Sequence, residues 1–228
     1  HGDGPVRRFP QINATTMPAA AEKHLGPFRL LRILGRGSMG VVHLAFDLKQ
    51  QRPVALKTLA LGDGLAAAER DEARSRFLAE AATAQRLAHL DIVNVFGAGE
   101  QAGVAWLAME VLGGCELGRY TAPSRLLPEA LVLEVVARVA RALHHAHARG
   151  VVHRDIKPGN VMVDLPRRTV KLTDFGIAAL ADLSRTRTGV VLGTPVYMAP
   201  EQLAGAEADA RSDQYSLGVM LFHLLTGR

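Results

Sequence analysis

Cysteine is almost absent from this chain, aromatics are few, and no apolar run is long. Cys115 is the single cysteine among 228 residues, which excludes an intramolecular disulfide and any cysteine-based zinc cluster. One cysteine is also compatible with a reducing, cytosolic setting. No apolar run reaches the roughly eighteen residues that a membrane-spanning helix needs, and no apolar signal core follows His1. Because the chain starts without Met, it is expected to be a fragment or a processed product. Aromatics make up 5% of the residues, and the basic residues are scattered, with Arg7 beside Arg8 and Arg167 beside Arg168 as the tightest pairs. The formal charge of +5 and pI near 9.8 therefore read as a dispersed basic surface and not as a nucleic-acid interface. With 48% hydrophobic and 21% charged residues, the composition is that of an ordinary globular protein, long enough to bury a substantial core in one or two domains.

What is present is concentrated in a few polar stretches framed by apolar ones. Residues 151–163 read VVHRDIKPGNVMV, a loop carrying Asp155, Lys157 and Asn160 between two β-branched runs that predict strands. KLTDFG begins at Lys171 and sets Asp174 between an apolar run and the pair Phe175, Gly176. Two acids and an amide on neighbouring strands can hold a divalent metal through oxygen while one acid stays free to accept a proton.

Residues 1–26 lack sustained periodicity and read as a flexible lead-in. From Phe28, FRLLRILGRGSMGVVHLAFDL predicts strand, tight turn, strand, with Gly35, Gly37, Gly40 and Val42 matching G-x-G-x-x-G-x-V. Such glycines let backbone N–H groups approach phosphate oxygens. A dinucleotide-binding turn uses a similar pattern but opens a helix, whereas a second strand follows here. Lys57 lies at the centre of a strand at 54–59, where burial demands a partner. The helix predicted over 66–88 offers Glu80 beside the apolar positions Phe77, Leu78, Ala81 and Ala84. Two strands about a turn at 101–103 follow. An amphipathic helix is predicted over 126–147, ending in His144, His145 and His147, which read as helix-end side chains before Gly150 and not as metal ligands. Residues 184–189 are polar and turn-rich. The last predicted helix, 212–225, is apolar nearly all round and reads as buried, with Asp213 as its cap.

His153, Arg154, Asp155, Lys157 and Asn160 followed by Asp174, Phe175 and Gly176 resemble the catalytic and metal loops of the protein kinases. Lys157, placed two after Asp155, resembles the serine/threonine branch, and Gln202 after Glu201 resembles its bacterial members. The resemblance implies an α+β, bilobal protein-kinase-like fold: an N-lobe (27–109) of antiparallel sheet plus one helix, a hinge (110–114), and a largely helical C-lobe (115–228) lacking its last helices. It implies ATP as phosphoryl donor with Mg2+, or Mn2+ in its place. Asp155 would orient and deprotonate the acceptor hydroxyl, Lys157 would neutralise the transferred phosphate, Asn160 and Asp174 would bind the metal, and Asp213 would anchor the backbone of the catalytic loop. Lys57, paired with Glu80, would grip the α and β phosphates. Leu34, Gly35, Gly37, Gly40, Val42, Ala55, Met109, Glu110 and Leu112 would form the nucleotide site, with Met109 at the back of the adenine pocket and 110–112 as the hinge. Thr186 and Thr188, with Arg154, would make the segment before Glu201 phosphorylation-dependent, and Thr194 would select serine or threonine acceptors. The expected function is transfer of the ATP γ-phosphate to protein serine or threonine hydroxyls in signalling, with dimerisation serving autophosphorylation. The location is cytoplasmic, or the cytosolic membrane face if a region beyond Arg228 carries an anchor. A nucleotide-binding pseudokinase scaffold is the alternative; a small-molecule phosphotransferase is disfavoured by GTPVYMAPE at 193–201.

Overall fold

The computed structural model describes residues 23–37, 40–60, 67–175 and 195–228. Its upper lobe is a six-stranded antiparallel sheet with the order β1-β2-β3-β4-β6-β5. The strands are β1 (His24–Leu25), β2 (Phe28–Gly37), β3 (Gly40–Asp47), β4 (Arg52–Ala60), β5 (Val95–Gln101) and β6 (Val104–Met109). Strand alternation explains the packing on its two faces. On one face Phe28, Ala45, Val54, Leu56 and Ala108 bury against one another, with Trp106 edge-on to Phe28 at 4.8 Å. On the other, Ala105 and Leu107 meet Phe77 and Ala81 of helix α1 (Ala67–Ala84).

Helix α1 stops short of the predicted end at 88. After Ala84 the chain tightens, with Arg86 N–H bonded to the Thr83 carbonyl and Leu87 N–H to the Ala84 carbonyl, each at 3.1 Å. This three-residue spacing closes the helix and turns Leu87, 2% exposed, into the lower core.

The lower lobe carries a small antiparallel sheet of β7 (Cys115–Glu116), β8 (Val161–Asp164) and β9 (Thr169–Leu172), ordered β7-β8-β9. Around it lie helix α2 (Glu129–His147), a short helix α3 (Pro200–Leu203) and helix α4 (Ala210–Thr226). Helix α2 begins later than the predicted 126 because Pro128 has extended backbone, φ −53° and ψ 139°. Its carbonyl accepts from Leu131 and Val132 N–H. The buried face of α2, Val132, Val135, Val139, Leu143 and Ala146, packs with Ile156, Val161, Leu172, Met220 and Leu224.

Two expectations for α4 are corrected. Its cap is Asp209, whose carboxylate accepts Arg211 N–H at 2.7 Å; Asp213 lies a turn further on and is 0% exposed. Nor is α4 buried all round: Ser212, Asp213, Ser216, Met220 and Leu224 form a buried stripe, while Tyr215, Phe222 and Leu225 are 47%, 58% and 40% exposed. A four-residue repeat of contact with α2 buries one side only.

The lobes meet along backbone. Val93 N–H donates to the Leu172 carbonyl, and Leu172 N–H to the Asp91 carbonyl. Gly114 (φ +80°) completes the join, since a Cβ there would lie 2.0 Å from the Val163 carbonyl oxygen. Among the described residues no helix is long and apolar enough to cross a membrane.

Candidate active site

A buried carboxylate organises the loop that follows α2. Asp213 Oδ2 accepts His153 N–H at 2.8 Å and bonds His147 Nε2 at 2.7 Å, and its Oδ1 accepts Arg154 N–H at 2.8 Å. His153 is itself 0% exposed. Its Nε2 lies 2.8 Å from the Thr173 carbonyl, which can only accept, so Nε2 carries the proton and Nδ1 is left to accept Asp155 N–H at 3.3 Å. The imidazole packs on Phe175, ring centroids 4.7 Å apart. One histidine thus joins the Asp155 loop to the end of β9.

Asp155 is held through one oxygen. Its Oδ2 accepts from Lys157 Nζ at 2.7 Å and Asn160 Nδ2 at 2.9 Å, and Asn160 Nδ2 also donates to the Asp155 carbonyl at 2.7 Å. Asp155 Oδ1 has no hydrogen-bond partner among the described residues. The Asn160 amide is spent in the same way: with Nδ2 on Asp155, its Oδ1 remains as an acceptor. Thr173 N–H and Oγ1 both bond the Asn160 carbonyl, at 2.9 and 3.0 Å, which brings Asn160 beside Asp174.

Asp174 stands just past β9 in the left-handed conformation, φ +61°, and its Oδ1 pairs with Lys57 Nζ at 2.7 Å. The Lys57 side chain is 9% exposed and that of Asp174 31%, so a largely buried ammonium from the upper lobe is neutralised by a more open acid from the lower one. The partner expected of Lys57 was Glu80, whose side chain lies outside the described residues. The oxygens of Asn160 and Asp174 suit a hard divalent cation, and the donor set contains no sulfur or imidazole to favour a softer metal.

Sheet register places the other upper-lobe residues. Gly35 pairs with Val42, Val42 with Lys57, and Lys57 with Leu107, making one row across four strands. Two positions back along β4, on the same face as Lys57, Ala55 sits against Met109. Gly40 has φ +120°, and a Cβ on it would lie 2.0 Å from the Thr58 carbonyl oxygen, a close approach of β3 to β4 that only glycine allows. Leu34 is 37% exposed beside Gly35. Gly37 ends β2; the two residues between it and Gly40 lie outside the described residues. Met109 lines a narrow cavity with Phe77, Leu107, Asp174 and Phe175.

The stretch from Glu110 to Leu112 connects the lobes. Glu110 Oε1 accepts Asn94 N–H at 2.8 Å and Lys171 Nζ at 2.6 Å, while Lys171 also donates to the Ile92 carbonyl at 3.1 Å. Just beyond, burial and then the Cys115 thiol, 3.7 Å away, raise the Tyr120 hydroxyl above its ordinary pKa.

Thr186, Thr188 and Thr194, together with Gly176, lie outside the described residues. Arg154 is exposed and left-handed, φ +68°. Lys171, His147 and Gln202 were not singled out for the site on residue pattern, because each acts by a contact that forms only once distant segments are packed. For His147 the helix-end position was the only signal.

A profile of the protein kinase domain matches residues 28–228. The chain is 39% identical to serine/threonine-protein kinase PrkC of Bacillus subtilis over 89% of its own length and 31% of that protein's. It is 42% identical to serine/threonine-protein kinase Pkn1 of Myxococcus xanthus over 89% of its own length and 29% of that relative. The crystal structure of the Mycobacterium tuberculosis PknI kinase domain superposes with a TM-score of 0.73 at 34% identity, covering 92% of this chain and 78% of that one. The chain thus spans about a third of the length of these curated relatives. It belongs to the protein kinase domain family, and within it to the bacterial serine/threonine type.

Proposed function

We propose that this chain transfers the γ-phosphoryl group of ATP to serine or threonine hydroxyls of protein substrates. The observation that carries the reading is the pairing of Lys57 with Asp174 across the lobes, beside an Asp155 held by Lys157 and Asn160 with one oxygen free. The Lys57 ammonium and the backbone around Gly35, Gly37 and Gly40 hold the triphosphate, with Glu80 as the second partner of Lys57. Leu34, Val42, Ala55 and Met109 enclose the base, and the backbone of Glu110 and Leu112 hydrogen-bonds it. Asn160 and Asp174 would hold Mg2+, or Mn2+ in its place, and a cation there would supply positive charge against the phosphate oxygens.

Asp155 Oδ1 aligns the acceptor hydroxyl and takes its proton as the oxygen forms a bond to the γ-phosphorus. The bond from that phosphorus to the bridging oxygen breaks and ADP leaves. Lys157, 2.7 Å from Asp155, meets the charge on the group in transit. Most of the acceleration comes from placement and fixed charge.

Residues 1–26 are a lead-in to a kinase domain at 27–228, with its hinge at 110–114. Thr186 or Thr188 is phosphorylated by a second copy of the chain in a transient dimer and pairs with Arg154; Thr194 favours serine and threonine acceptors. The domain works in the cytoplasm or at the cytosolic membrane face. The test is labelled phosphate transfer from ATP to a serine/threonine peptide by the wild type and Asp155→Asn. Transfer should fall about a thousandfold, and normal turnover in the variant would remove Asp155 as the base.

A further inference from the structure

The peptide unit joining Arg154 to Asp155 is gripped from outside its own loop. Arg154 has φ +68°, a left-handed conformation that a non-glycine residue keeps only where its neighbours hold it. Its N–H donates to Asp213 Oδ1 at 2.8 Å. Its carbonyl accepts from Gln202 Nε2, also at 2.8 Å. The other side of that peptide unit, Asp155 N–H, reaches His153 Nδ1 at 3.3 Å.

Gln202 is engaged at both ends. Its Oε1 accepts Ala199 N–H at 3.1 Å, and a carboxamide flanked by an N–H on one side and a carbonyl on the other has one orientation that satisfies both. Asp213 and His153 belong to the buried lower core. Gln202 does not: it is half-buried on α3, directly after residues 195–199. Among the described residues it is the side chain that ties this part of the chain to the backbone presenting Asp155.

We propose that Gln202 is a positioning residue for Asp155. By holding the Arg154 carbonyl it keeps Arg154 left-handed and sets the direction in which the Asp155 carboxylate meets the acceptor hydroxyl. The inference rests on the kinase reading of Asp155. Gln202 touches none of the nucleotide-site residues, so its loss acts on turnover and leaves ATP affinity alone.

The experiment compares the full chain as wild type, Gln202→Leu and Gln202→Glu, by steady-state phosphorylation of a serine/threonine peptide, by nucleotide titration and by thermal melting. Leu removes both hydrogen bonds. Glu keeps an acceptor for Ala199 N–H but sets a carboxylate oxygen against the Arg154 carbonyl. Both variants are expected to lose about tenfold in kcat, the loss of one well-placed hydrogen bond, with ATP affinity unchanged and the melting temperature lowered by no more than about 5 °C. Retained kcat in Gln202→Glu overturns the proposal, because the side chain would then serve only to hold α3. So does a kcat within about twofold of wild type in both variants, or a loss that appears only with weakened ATP binding or with a melting temperature lowered by more than about 10 °C. A wild type that transfers no phosphate overturns the kinase reading and this inference together; wild-type transfer with normal Gln202→Glu turnover overturns this inference alone.

Discussion

In the lower lobe His153, Asn160 and Asp213 are 0%, 6% and 0% exposed, and their side chains bond backbone groups on both sides of Asp155. In the upper lobe the strand that carries Gly35 leaves Ile33 and Leu34 at 42% and 37% exposed, and glycines stand where β2 ends, at Gly37, and where β3 begins, at Gly40. On the proposed kinase reading both regions serve one reaction with different demands. A proton acceptor gains from being set before the substrate arrives, which a saturated hydrogen-bond network provides. A hairpin that covers phosphates has to admit and release a nucleotide, which favours the permissive backbone of glycine. Lys57 links the two, since it is rooted in the upper sheet and paired with an acid of the lower lobe.

The contrast can be broken most strongly at Asp213. Asp213→Ala leaves the His153 and Arg154 N–H groups unpaired in a buried site and is expected to lower stability by about 3–5 kcal/mol in urea denaturation; a loss below about 1 kcal/mol would mean the network is not what holds the loop. Gly114→Ala tests the join between the lobes. With φ +80° and a Cβ 2.0 Å from the Val163 carbonyl oxygen, it should cost about 1–3 kcal/mol from backbone strain before the clash is counted, read as a lowered melting temperature. Lys171→Met sharpens the comparison at the hinge. Freeing Glu110 is worth about 1 kcal/mol, so KM for ATP should rise about fivefold with a smaller change in kcat; the reverse split would place Lys171 with the catalytic loop. The smallest effect belongs to Glu134→Ala. Its pair with Arg168 joins side chains that are 40% and 75% exposed, and its removal should change stability by less than about 0.5 kcal/mol.

The polar constellation was legible in sequence because Asp155, Lys157, Asn160 and Asp174 sit in short loops beside apolar runs; the runs after Asn160 and before Asp174 form β8 and β9, whereas Val151 and Val152, also expected as a strand, do not. The glycine hairpin was legible for the same reason, since Gly35 to Val42 stands between two such runs. Helix ends were less so. Asp213 was read as the cap of a helix starting at 212, but the helix starts at Ala210 and Asp209 accepts Arg211 N–H. Apolar residues all round α4 suggested burial, but its contact with α2 uses the stripe of Ser212, Ser216, Met220 and Leu224, in which hydropathy and burial disagree. The Lys171 to Glu110 pair spans 61 positions and depends on how β9 sits against the hinge, which no local pattern encodes. Gln202 was read only as a mark of kinship, because its amide finds the Arg154 carbonyl 48 positions away.

The proposed function divides labour between two acids: Asp174 would hold the metal nucleotide and Asp155 would handle the hydroxyl. Magnesium-dependent ATP titration of Asp155→Asn and Asp174→Asn tests it most directly. The account predicts near wild-type affinity for Asp155→Asn and loss of the magnesium-dependent part of binding for Asp174→Asn. Equal affinity in the two variants, or loss of binding in Asp155→Asn alone, would contradict it.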